Sequence, residues 1–441
     1  MPTDIQNPAV AQALSAAKAQ YVAANPLSQE QHRKAAKVMP GGNTRTTLFG
    51  EPFPITLTAG KGATVTSLDG RTYIDFLGEY TAGLYGHSNA ELRQAVIGAL
   101  DHGWVMGGQI RDEEELASLI CSRFASIERV RFANSGTEAN LYAISASRAI
   151  TGKNKVVVFE GAYHGGVFTF GLTPSPMAAP FDFVKAPYND IEGTRALLDA
   201  NAADIGTVVI EPMQGSGGCI PADHAFLKML RDWTTAHGAV LIFDEVMTSR
   251  LSPGGLQALC GVTPDMTTLG KYIGGGFSFG AFGGRADLMA RFDPHQPGYF
   301  AHAGTFNNNV FTMAAGVVGL RDVYTADAAN ALNARGEALR ARLNQAAQAA
   351  RFPMQFTGLG SMMNVHMHRG QVRNLRDLVS DDATLRELFY FDMLEQGLWL
   401  ARRGMVNLSL PIGDVECDRL VTAVESFVER RNALFGGNGS A

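Results

Sequence analysis

Two stretches are the most informative about the fold: AVLIFDEV (residues 239–246) and DMTTLGKYIGGGFSFGAFGG (residues 265–284). In each, an apolar run that predicts a buried strand is followed by polar residues suited to chemistry. Three similar runs precede them: RVRFAN at 129–134, KVVVFEG at 155–161 and TVVIEPM at 207–213. The apolar residues in these runs are consecutive and often β-branched, and they do not alternate with polar residues, which is typical of strands buried on both faces. With helical stretches between them, they predict a mostly parallel α/β sheet with right-handed crossovers.

The domain organisation is predicted from where these runs begin and stop. We expect an N-terminal helix and loop segment over residues 1–65 that joins the small domain, a large domain over residues 66–322, and a C-terminal small α+β domain over residues 323–441. The first segment is rich in Ala and Gln and is predicted to be helical to about Arg33, before the Pro-Gly-Gly break at residues 40–42.

Smaller elements are predicted from local patterns. Residues 63–76 alternate in polarity around Asp69-Gly70, which favours a β-hairpin. In the small domain we expect an Ala- and Arg-rich helix over residues 323–343, a strand pair over 354–368 and an amphipathic helix over 421–434, and we expect the ending GGNGSA (436–441) to be a disordered tail.

Composition limits the classes of partner. The chain has 441 residues, of which 46% are hydrophobic, so it can bury a large core. The net charge is -5, from 37 Lys and Arg against 42 Asp and Glu, and the sequence has no basic block of the kind that tracks nucleic acid phosphates. We therefore expect small-molecule chemistry and no nucleic acid partner.

Compartment and metal content are predicted from the cysteines and the apolar runs. The four cysteines lie far apart, without the paired spacing of a zinc site or a disulfide framework. The first residues lack the cationic and apolar regions of an export signal, and no apolar run approaches the roughly 20 residues of a membrane span. These features favour a cytoplasmic protein with no bound metal and no membrane association.

The turn FANSGTEAN (residues 132–140) is a candidate anion site. Ser135, Gly136 and Thr137 lie where a predicted strand turns into a helix. Free backbone N–H groups, two hydroxyls and the positive end of a helix dipole suit an anion at this point. An ordinary N-cap explains the same residues, because Ser or Thr before Glu is common at helix starts.

A second strand end carries an aromatic loop. In FEGAYHGG (residues 159–166), Tyr163 and His164 are bracketed by glycines that allow a flat ligand to approach closely. Tyr163 at this position can stack on a heteroaromatic ring or, as loop aromatics commonly do, pack on the core.

Two further strand ends carry carboxylates, Glu211 after TVVI and Asp244 after VLIF. An unpaired charge is costly to bury, so each is expected to have a cationic partner. The protonated ring nitrogen of a pyridine cofactor, an Arg or Lys side chain, and a metal ion all meet that requirement.

Lys271 follows an apolar element and precedes a glycine-rich stretch. A lone loop lysine is usually solvated, but its small and apolar flanks indicate partial desolvation. Desolvation lowers the pKa of a lysine toward the neutral amine that attacks an aldehyde. In chain order, an anion turn, an aromatic loop, a carboxylate and a lysine supply the contacts that an aldehyde cofactor with a ring and a phosphate requires.

On these residues the sequence resembles the class III aminotransferases, which use pyridoxal 5′-phosphate (PLP) and have PLP fold type I. The resemblance runs from about residue 39 to the end, through NSGTEAN (134–140), AYHGG (162–166), EPMQG (211–215), FDEVMTSR (243–250), TLGKYIGGG (268–276) and HAGTFNNN (302–309). It implies that Lys271 forms the internal Schiff base and shuttles a proton between the substrate carbon and C4′ of PLP, while Asp244 pairs with the pyridine nitrogen.

The resemblance also implies the remaining cofactor contacts. The expected cofactor-binding residues are Ser135, Gly136, Thr137, Tyr163, His164, Glu211, Asp244, Val246, Lys271 and Thr305. The first three would hold the phosphate, while Tyr163 stacks on one face of the ring and Val246 packs on the other. Thr305 would reach the phosphate of the neighbouring subunit, which implies a homodimer with shared active sites.

Within the class, the chain resembles the β-phenylalanine aminotransferases. Their arginines bind substrate carboxylates, which assigns Arg45 and Arg403, together with Tyr80, to the substrate. The implied function is transfer of the amino group of an aromatic or aliphatic β-amino acid to 2-oxoglutarate or pyruvate. Residues 402–404 read Arg-Arg-Gly where the family has Pro-Arg-Gly, and we interpret Arg402 as a surface or structural arginine.

Alternatives remain at this point. Glutamate-1-semialdehyde 2,1-aminomutases share almost the same cofactor motifs. A nucleotide-binding protein is disfavoured because the sequence has no G-K-[ST] and no G-x-G-x-x-G after its first strands. A zinc enzyme would use His366 and His368, whose alternate spacing fits packing better, and a non-catalytic PLP-fold protein would not need Lys271 and Asp244.

Overall fold

The structure is a computed structural model that describes residues 7–435. The α-helices of these residues are α1 (Pro8–Ala24), α2 (Pro26–Ala35), α3 (Ala90–His102), α4 (Arg111–Arg123), α5 (Gly136–Thr151), α6 (Ile191–Ala200), α7 (His224–His237), α8 (Gly255–Cys260), α9 (Ala286–Met289), α10 (Val310–Val318), α11 (Ala326–Ala349), α12 (Ala383–Glu395) and α13 (Asp414–Asn432). The β-strands are β1 (Leu57–Lys61), β2 (Thr64–Ser67), β3 (Thr72–Asp75), β4 (Arg129–Ala133), β5 (Lys155–Phe159), β6 (Ala162–Tyr163), β7 (Thr169–Phe170), β8 (Asp182–Ala186), β9 (Ile205–Ile210), β10 (Met213–Gln214), β11 (Ile220–Pro221), β12 (Val240–Asp244), β13 (Met266–Gly270), β14 (Gly280–Gly284), β15 (Gln355–Leu359), β16 (Met362–His366), β17 (Leu398–Trp399) and β18 (Met405–Asn407).

The central sheet has the strand order β4-β14-β13-β12-β9-β5-β8. The strands from β13 to β8 pair in parallel, whereas β14 is antiparallel to both of its neighbours. Every residue of β9 and β12 is buried, as continuous apolar runs require in a covered parallel sheet. The predicted mostly parallel α/β sheet is confirmed.

At one edge of this sheet the sequence prediction was wrong in detail. We expected β4 to be buried on both faces, but Arg129 is exposed and residues 130–132 are half-buried, because β4 is the edge strand. Its neighbour β14 was not predicted, since glycine has a low β-propensity. The glycines are needed there, because a Cβ on Gly280 would lie 2.1 Å from the Ser135 carbonyl oxygen.

The predicted hairpin is confirmed, and its sheet links distant parts of the chain. β2 and β3 pair antiparallel around Gly70, whose φ is 80°. β1 extends this sheet on one side, and β17 pairs in parallel with β3 on the other. Helix α1 also packs against α12, so the first described residues contact the C-terminal third of the chain.

The N-terminal helix was predicted as one element and is two. Asn25 ends α1 and Pro26 begins α2. A proline disfavours helical geometry at the residue before it, which explains the interruption at Asn25. The expected break at residues 40–42 is present as a short 3₁₀ turn.

The C-terminal elements match the prediction with shifted boundaries. The first helix, α11, extends to Ala349, and β15 and β16 form the expected pair, to which β18 adds a third strand. Helix α13 starts at Asp414, earlier than the predicted residue 421. At this start Glu416 accepts a hydrogen bond from the Gly413 N–H at 2.8 Å. The expected tail at 436–441 lies outside the described residues.

Across residues 7–435, no helix has both the length and the apolarity to cross a membrane.

Candidate active site

The polar residues that follow the parallel strands converge on one cavity of about 330 Å³. Convergence is expected, because the carboxyl ends of parallel strands meet at the same edge of a sheet. The predicted site residues in its lining are Arg45, Ser135, Gly136, Thr137, Tyr163, His164, Glu211, Asp244, Val246 and Lys271. Tyr80 and Arg403 adjoin this group, and Thr305 lies outside the lining.

The turn after β4 is the N-terminus of α5. Ser135 is the N-cap, and its Oγ accepts a hydrogen bond from the Glu138 N–H at 3.1 Å, which is the capping role that the sequence also allowed. Thr137 Oγ1 accepts the Gly166 N–H at 3.3 Å. Because these residues line the cavity, the helix directs the positive end of its dipole into it, and capping does not exclude anion binding.

Gly136 stands against Val246 at a narrow point of the cavity wall. A Cβ on Gly136 would lie 2.9 Å from Val246 Cγ2, closer than side chains tolerate. Because Gly136 has no side chain, Val246 can line the cavity beside it, and the two residues bound a narrow slot. The side chain of Tyr163, 44% exposed, also lines the cavity.

Asp244 is hydrogen-bonded through both oxygens. Its Oδ2 is 2.8 Å from Nδ2 of Asn140, which donates to it, and 2.8 Å from Nδ1 of His164. Its Oδ1 accepts the Val246 N–H at 3.0 Å. The carboxylate is therefore held in one orientation in the wall of the cavity.

His164 contacts the buried Asp244 carboxylate directly. Burial lowers the pKa of His164, but the hydrogen bond to Asp244 and the charges of Asp244 and Glu211 together raise it above its ordinary value. Its Nε2 is buried without a hydrogen-bond partner among the described residues. The sequence suggested a ring nitrogen, Arg, Lys or metal as the partner, and did not suggest this histidine.

Asn140 is a site residue that the sequence reasoning missed. Its Nδ2 also donates to the His164 carbonyl oxygen at 3.0 Å, and its Oδ1 accepts the Thr268 hydroxyl at 2.9 Å. Asn140 therefore ties Asp244, the histidine loop and β13 together. The available signal was a buried asparagine inside a helix, where asparagine has poor propensity and usually needs a specific reason.

Glu211 lacks the ion pair with Arg or Lys that burial suggested. Its carboxylate accepts the N–H groups of Tyr163 at 2.9 Å and Gly215 at 3.0 Å. Burial raises the pKa of Glu211 to about 7, although the charge of nearby His164 acts in the opposite direction. Glu211 positions the loop that carries Tyr163 through the backbone of that loop.

Lys271 directly follows β13, and its backbone has a φ of 56°. Its Nζ donates to the Tyr80 carbonyl oxygen at 2.7 Å. Burial lowers the pKa of Lys271 to about 8, with the charge of Arg403 acting in the same direction and that of Glu79 against it. A lysine with such a pKa has a useful neutral fraction near neutral pH, as nucleophilic attack on an aldehyde requires.

Arg45, which lines the cavity, lies close to Tyr80 and Arg403. The guanidinium carbons of Arg45 and Arg403 lie 5.7 Å and 5.0 Å from the centroid of the Tyr80 ring. Arg45 pairs with Glu79 at 2.5 Å, and Arg403 donates to Ser216 Oγ at 3.1 Å. Neither Glu79 nor Ser216 was predicted, because nothing in the local sequence relates them to an arginine.

The remaining predicted residues lie elsewhere. Arg402 pairs with Glu387, in agreement with its interpretation as a structural arginine. Thr305 is exposed in the loop before α10, and its expected role concerns a second subunit. His366 is buried and hydrogen-bonds Thr357 and the Gly218 carbonyl, and residues 7–435 contain no group of three or more His, Cys, Asp or Glu suited to a metal ion.

Comparison with known proteins identifies close relatives. The family model described as aminotransferase class-III matches residues 49–428. The β-phenylalanine transaminase of Variovorax paradoxus is 53% identical over 426 residues, which cover 97% of this chain and 98% of that protein. A glutamate-1-semialdehyde 2,1-aminomutase of Bacillus licheniformis is 36% identical and covers 91% of this chain and 97% of its own length.

A solved structure shows the same architecture. The crystal structure of a β-phenylalanine aminotransferase from Variovorax paradoxus matches with a TM-score of 0.95 at 52% identity, covering 96% of this chain and 99% of that one. The fold expected from the sequence resemblance is therefore confirmed.

Proposed function

The chain belongs to the class III aminotransferase family, and from this premise we propose that it moves the amino group of a β-amino acid to 2-oxoglutarate or pyruvate. As a member of that family it is a PLP-dependent transaminase. The proposed donor is β-phenylalanine-like, aromatic or aliphatic. Its support is the similarity to the β-phenylalanine transaminase and the presence of two guanidinium groups beside the amine of Lys271.

The residues around the cavity fit PLP. The N-terminus of α5, with the hydroxyls of Ser135 and Thr137, would hold the phosphate. The slot beside Gly136 would admit the ring, with Val246 on one face and Tyr163 on the other. When bound, PLP supplies an electron sink for the bond that is broken at the substrate carbon.

Asp244 would keep the ring nitrogen protonated. His164 and Asn140 hold its carboxylate at hydrogen-bond distance, so the anion needs little reorganisation to meet a cation. We include His164 and Glu211 in the cofactor site, because both belong to the loop and network that place Tyr163 and Asp244.

Lys271 would bond covalently to the cofactor's aldehyde carbon. When not bonded to the cofactor, its Nζ would take the proton from the substrate carbon that bears the amino group. A pKa of about 8, set mainly by burial, suits an amine that must first attack and then accept a proton near neutral pH.

The substrate carboxylates would bind to Arg45 and Arg403, whose guanidinium groups both lie near the Tyr80 ring. An aromatic donor and a dicarboxylic acceptor must share one pocket, so an arginine that swings away would serve both. We assign this movement to Arg403, which contacts the Tyr80 ring and the Ser216 hydroxyl and has no acidic partner among the described residues.

One observation supports the proposal most: the amine of Lys271, the N-terminus of α5 and the guanidinium of Arg45 line the same cavity. The test supplies racemic β-phenylalanine with 2-oxoglutarate and measures glutamate. We expect glutamate from the wild type and none from Lys271→Ala. Conversion of glutamate-1-semialdehyde without an acceptor, and no glutamate from β-phenylalanine, would instead establish an aminomutase.

The proposal also includes features that concern the whole protein. We propose a homodimer in which Thr305 of each subunit reaches the phosphate held by the other, and a division into residues 1–65, 66–322 and 323–441. A cytoplasmic location is proposed as well, with the four free cysteine thiols in support.

A further inference from the structure

Glu79 differs from the other acidic residues of the cavity. The described residues of the lining include the acids Glu79, Glu211 and Asp244. Glu211 and Asp244 are buried and bonded within the network that surrounds the proposed cofactor site. The side chain of Glu79 is 55% exposed and pairs with Arg45, so the cofactor chemistry gives it no role.

The backbone that carries Glu79 is strained. Residues 78–81 all have positive φ, at 53°, 46°, 52° and 81°, although only the first is glycine. Such conformations cost free energy and persist where the surroundings impose them, often at functional sites. Here Asp75 Oδ1 accepts the N–H groups of Leu77 and Gly78 at 2.8 Å and 3.0 Å. The turn thus holds Glu79 against Arg45.

The two arginines proposed to bind carboxylates differ in whether they have an acidic partner. Arg45 has an acidic partner in Glu79, at 2.5 Å. Arg403 contacts Ser216 and the Tyr80 ring, and no acidic partner for it occurs among residues 7–435. A carboxylate can therefore bind Arg403 without breaking an ion pair, whereas at Arg45 it must displace one.

We propose that Glu79 competes with the substrate: it occupies the Arg45 guanidinium in the free enzyme and is displaced when a substrate carboxylate binds. The inference rests on the role given to Arg45 in the proposed function. It makes Glu79 a specificity-determining residue, because a ligand gains from Arg45 only what its carboxylate contributes beyond the ion pair that it replaces. In the free enzyme, the same anion offsets the neighbouring positive charges of Arg45, Arg403 and Lys271.

The test measures binding rather than turnover. The probe is 3-phenylpropanoate, the carbon skeleton of β-phenylalanine without its amino group, titrated calorimetrically into PLP-loaded wild type and Glu79→Gln. An exposed ion pair is worth little, so removing it should tighten binding by ~2–5-fold. The neutral analogue 3-phenylpropanamide has no carboxylate, and its affinity should not change.

Three further variants keep the result interpretable. Glu91→Gln removes an exposed acid of α3 that is absent from the cavity lining and should leave both affinities unchanged. Glu79→Asn removes the charge with a residue that favours positive φ, so it repeats the test if the glutamine variant folds poorly. In an Arg45→Ala background, the gain from Glu79→Gln should vanish.

Two outcomes overturn the inference: unchanged affinity for 3-phenylpropanoate in both Glu79 variants, or weaker affinity, which would mean that Glu79 orients Arg45 for the ligand. Failure of the proposed function looks different. If Arg45→Ala alone leaves the affinity for 3-phenylpropanoate unchanged, Arg45 does not bind the carboxylate at all.

Discussion

At the scale of single residues, the chemistry depends on where the protein places charge. Lys271 is buried beside two arginines, and both burial and their charges favour its neutral form. The Asp244 carboxylate is fixed in the same cavity by hydrogen bonds to a histidine and an asparagine. The cavity thus combines an amine of lowered pKa with an oriented carboxylate.

We expect covalent attachment of PLP to the apoenzyme to accelerate as pH rises, with a midpoint near the Lys271 pKa of about 8. The reason is that only the neutral amine attacks, and its fraction grows from about a tenth at pH 7 to about nine tenths at pH 9. Rapid-mixing absorbance measures the rate, and borohydride trapping with mass spectrometry identifies the modified residue.

Arg403→Ala tests whether the lowered pKa of Lys271 sets this pH dependence. The charge of Arg403 lowers the pKa of Lys271, so removing it should shift the midpoint to higher pH. A rate that does not depend on pH over this range, or an adduct on another side chain, would contradict the role of Lys271.

Arg403→Ala should also change the choice of acceptor. We expect a loss of kcat/KM for 2-oxoglutarate that exceeds the loss for pyruvate, because 2-oxoglutarate has a second carboxylate to bind. A charge-assisted hydrogen bond is worth about 1.5–3 kcal/mol, so the difference should be roughly 10- to 100-fold. Arg402→Ala is the matched control, since Arg402 pairs with Glu387. Equal losses for both acceptors would refute the assignment.

At the scale of elements, the N-terminus of α5 combines two functions. Ser135 caps the helix, and the turn packs so closely on β14 that Gly280 has no room for a Cβ. Gly136 in turn leaves space for Val246. The position of the proposed phosphate site is therefore set by the contact between a helix start and a glycine-rich strand.

Gly136→Ala should weaken PLP binding without unfolding the protein. The added methyl would push Val246 into the ring slot, and overpacking of this kind costs about 1–3 kcal/mol. Fluorescence titration of the apoenzyme with PLP measures the loss.

Gly98→Ala within α3 is the control, because no heavy atom lies within 4 Å of the new Cβ. Alanine should stabilise that helix by ~0.5–1 kcal/mol and leave PLP affinity unchanged. Equal PLP affinity in Gly136→Ala and wild type would show that the slot is wider than the structure indicates.

At the scale of the whole molecule, the N- and C-terminal parts share one sheet and one core. β17 pairs with β3, and α1 packs on α12. Arg250 is buried and donates to Ser361 and to the Leu408 carbonyl, so a residue next to the active-site strand also binds the C-terminal part. Arg45, from the N-terminal part, and Arg403, from the C-terminal part, meet at Tyr80 because of this arrangement.

The proposed shared sites predict complementation between two inactive or weakened variants. Lys271→Ala and Thr305→Ala are each expected to lose activity as homodimers. Mixed after dissociation and reassociation, they should form hybrids in which one site has both native residues. We expect activity above that of either variant alone, at up to about half of the wild-type value per hybrid, since one of two sites is intact. No recovery, or a monomer in sedimentation, would refute the shared site.

Much of this arrangement could be predicted from the sequence. Each apolar run with β-branched residues became a strand, and the residue types after those runs line one cavity. What could not be predicted was mostly non-local. The strand β14 could not be predicted, because its glycines are required by a contact with Ser135, which is distant in the sequence. The end of α1 is a local exception, since Pro26 interrupts a composition that otherwise favours one continuous helix.

The α/β class and the main residues of the cavity follow from the amino-acid sequence alone, because the periodicity of a strand and the turn that follows it are local properties of the chain. The pairing of those residues depends on the folded chain: His164 with Asp244, Asn140 between them, and Glu79 with Arg45. The physical reason is that hydrogen bonds and ion pairs depend on distances of a few ångströms between residues far apart in the chain, and those distances exist only once the elements have packed.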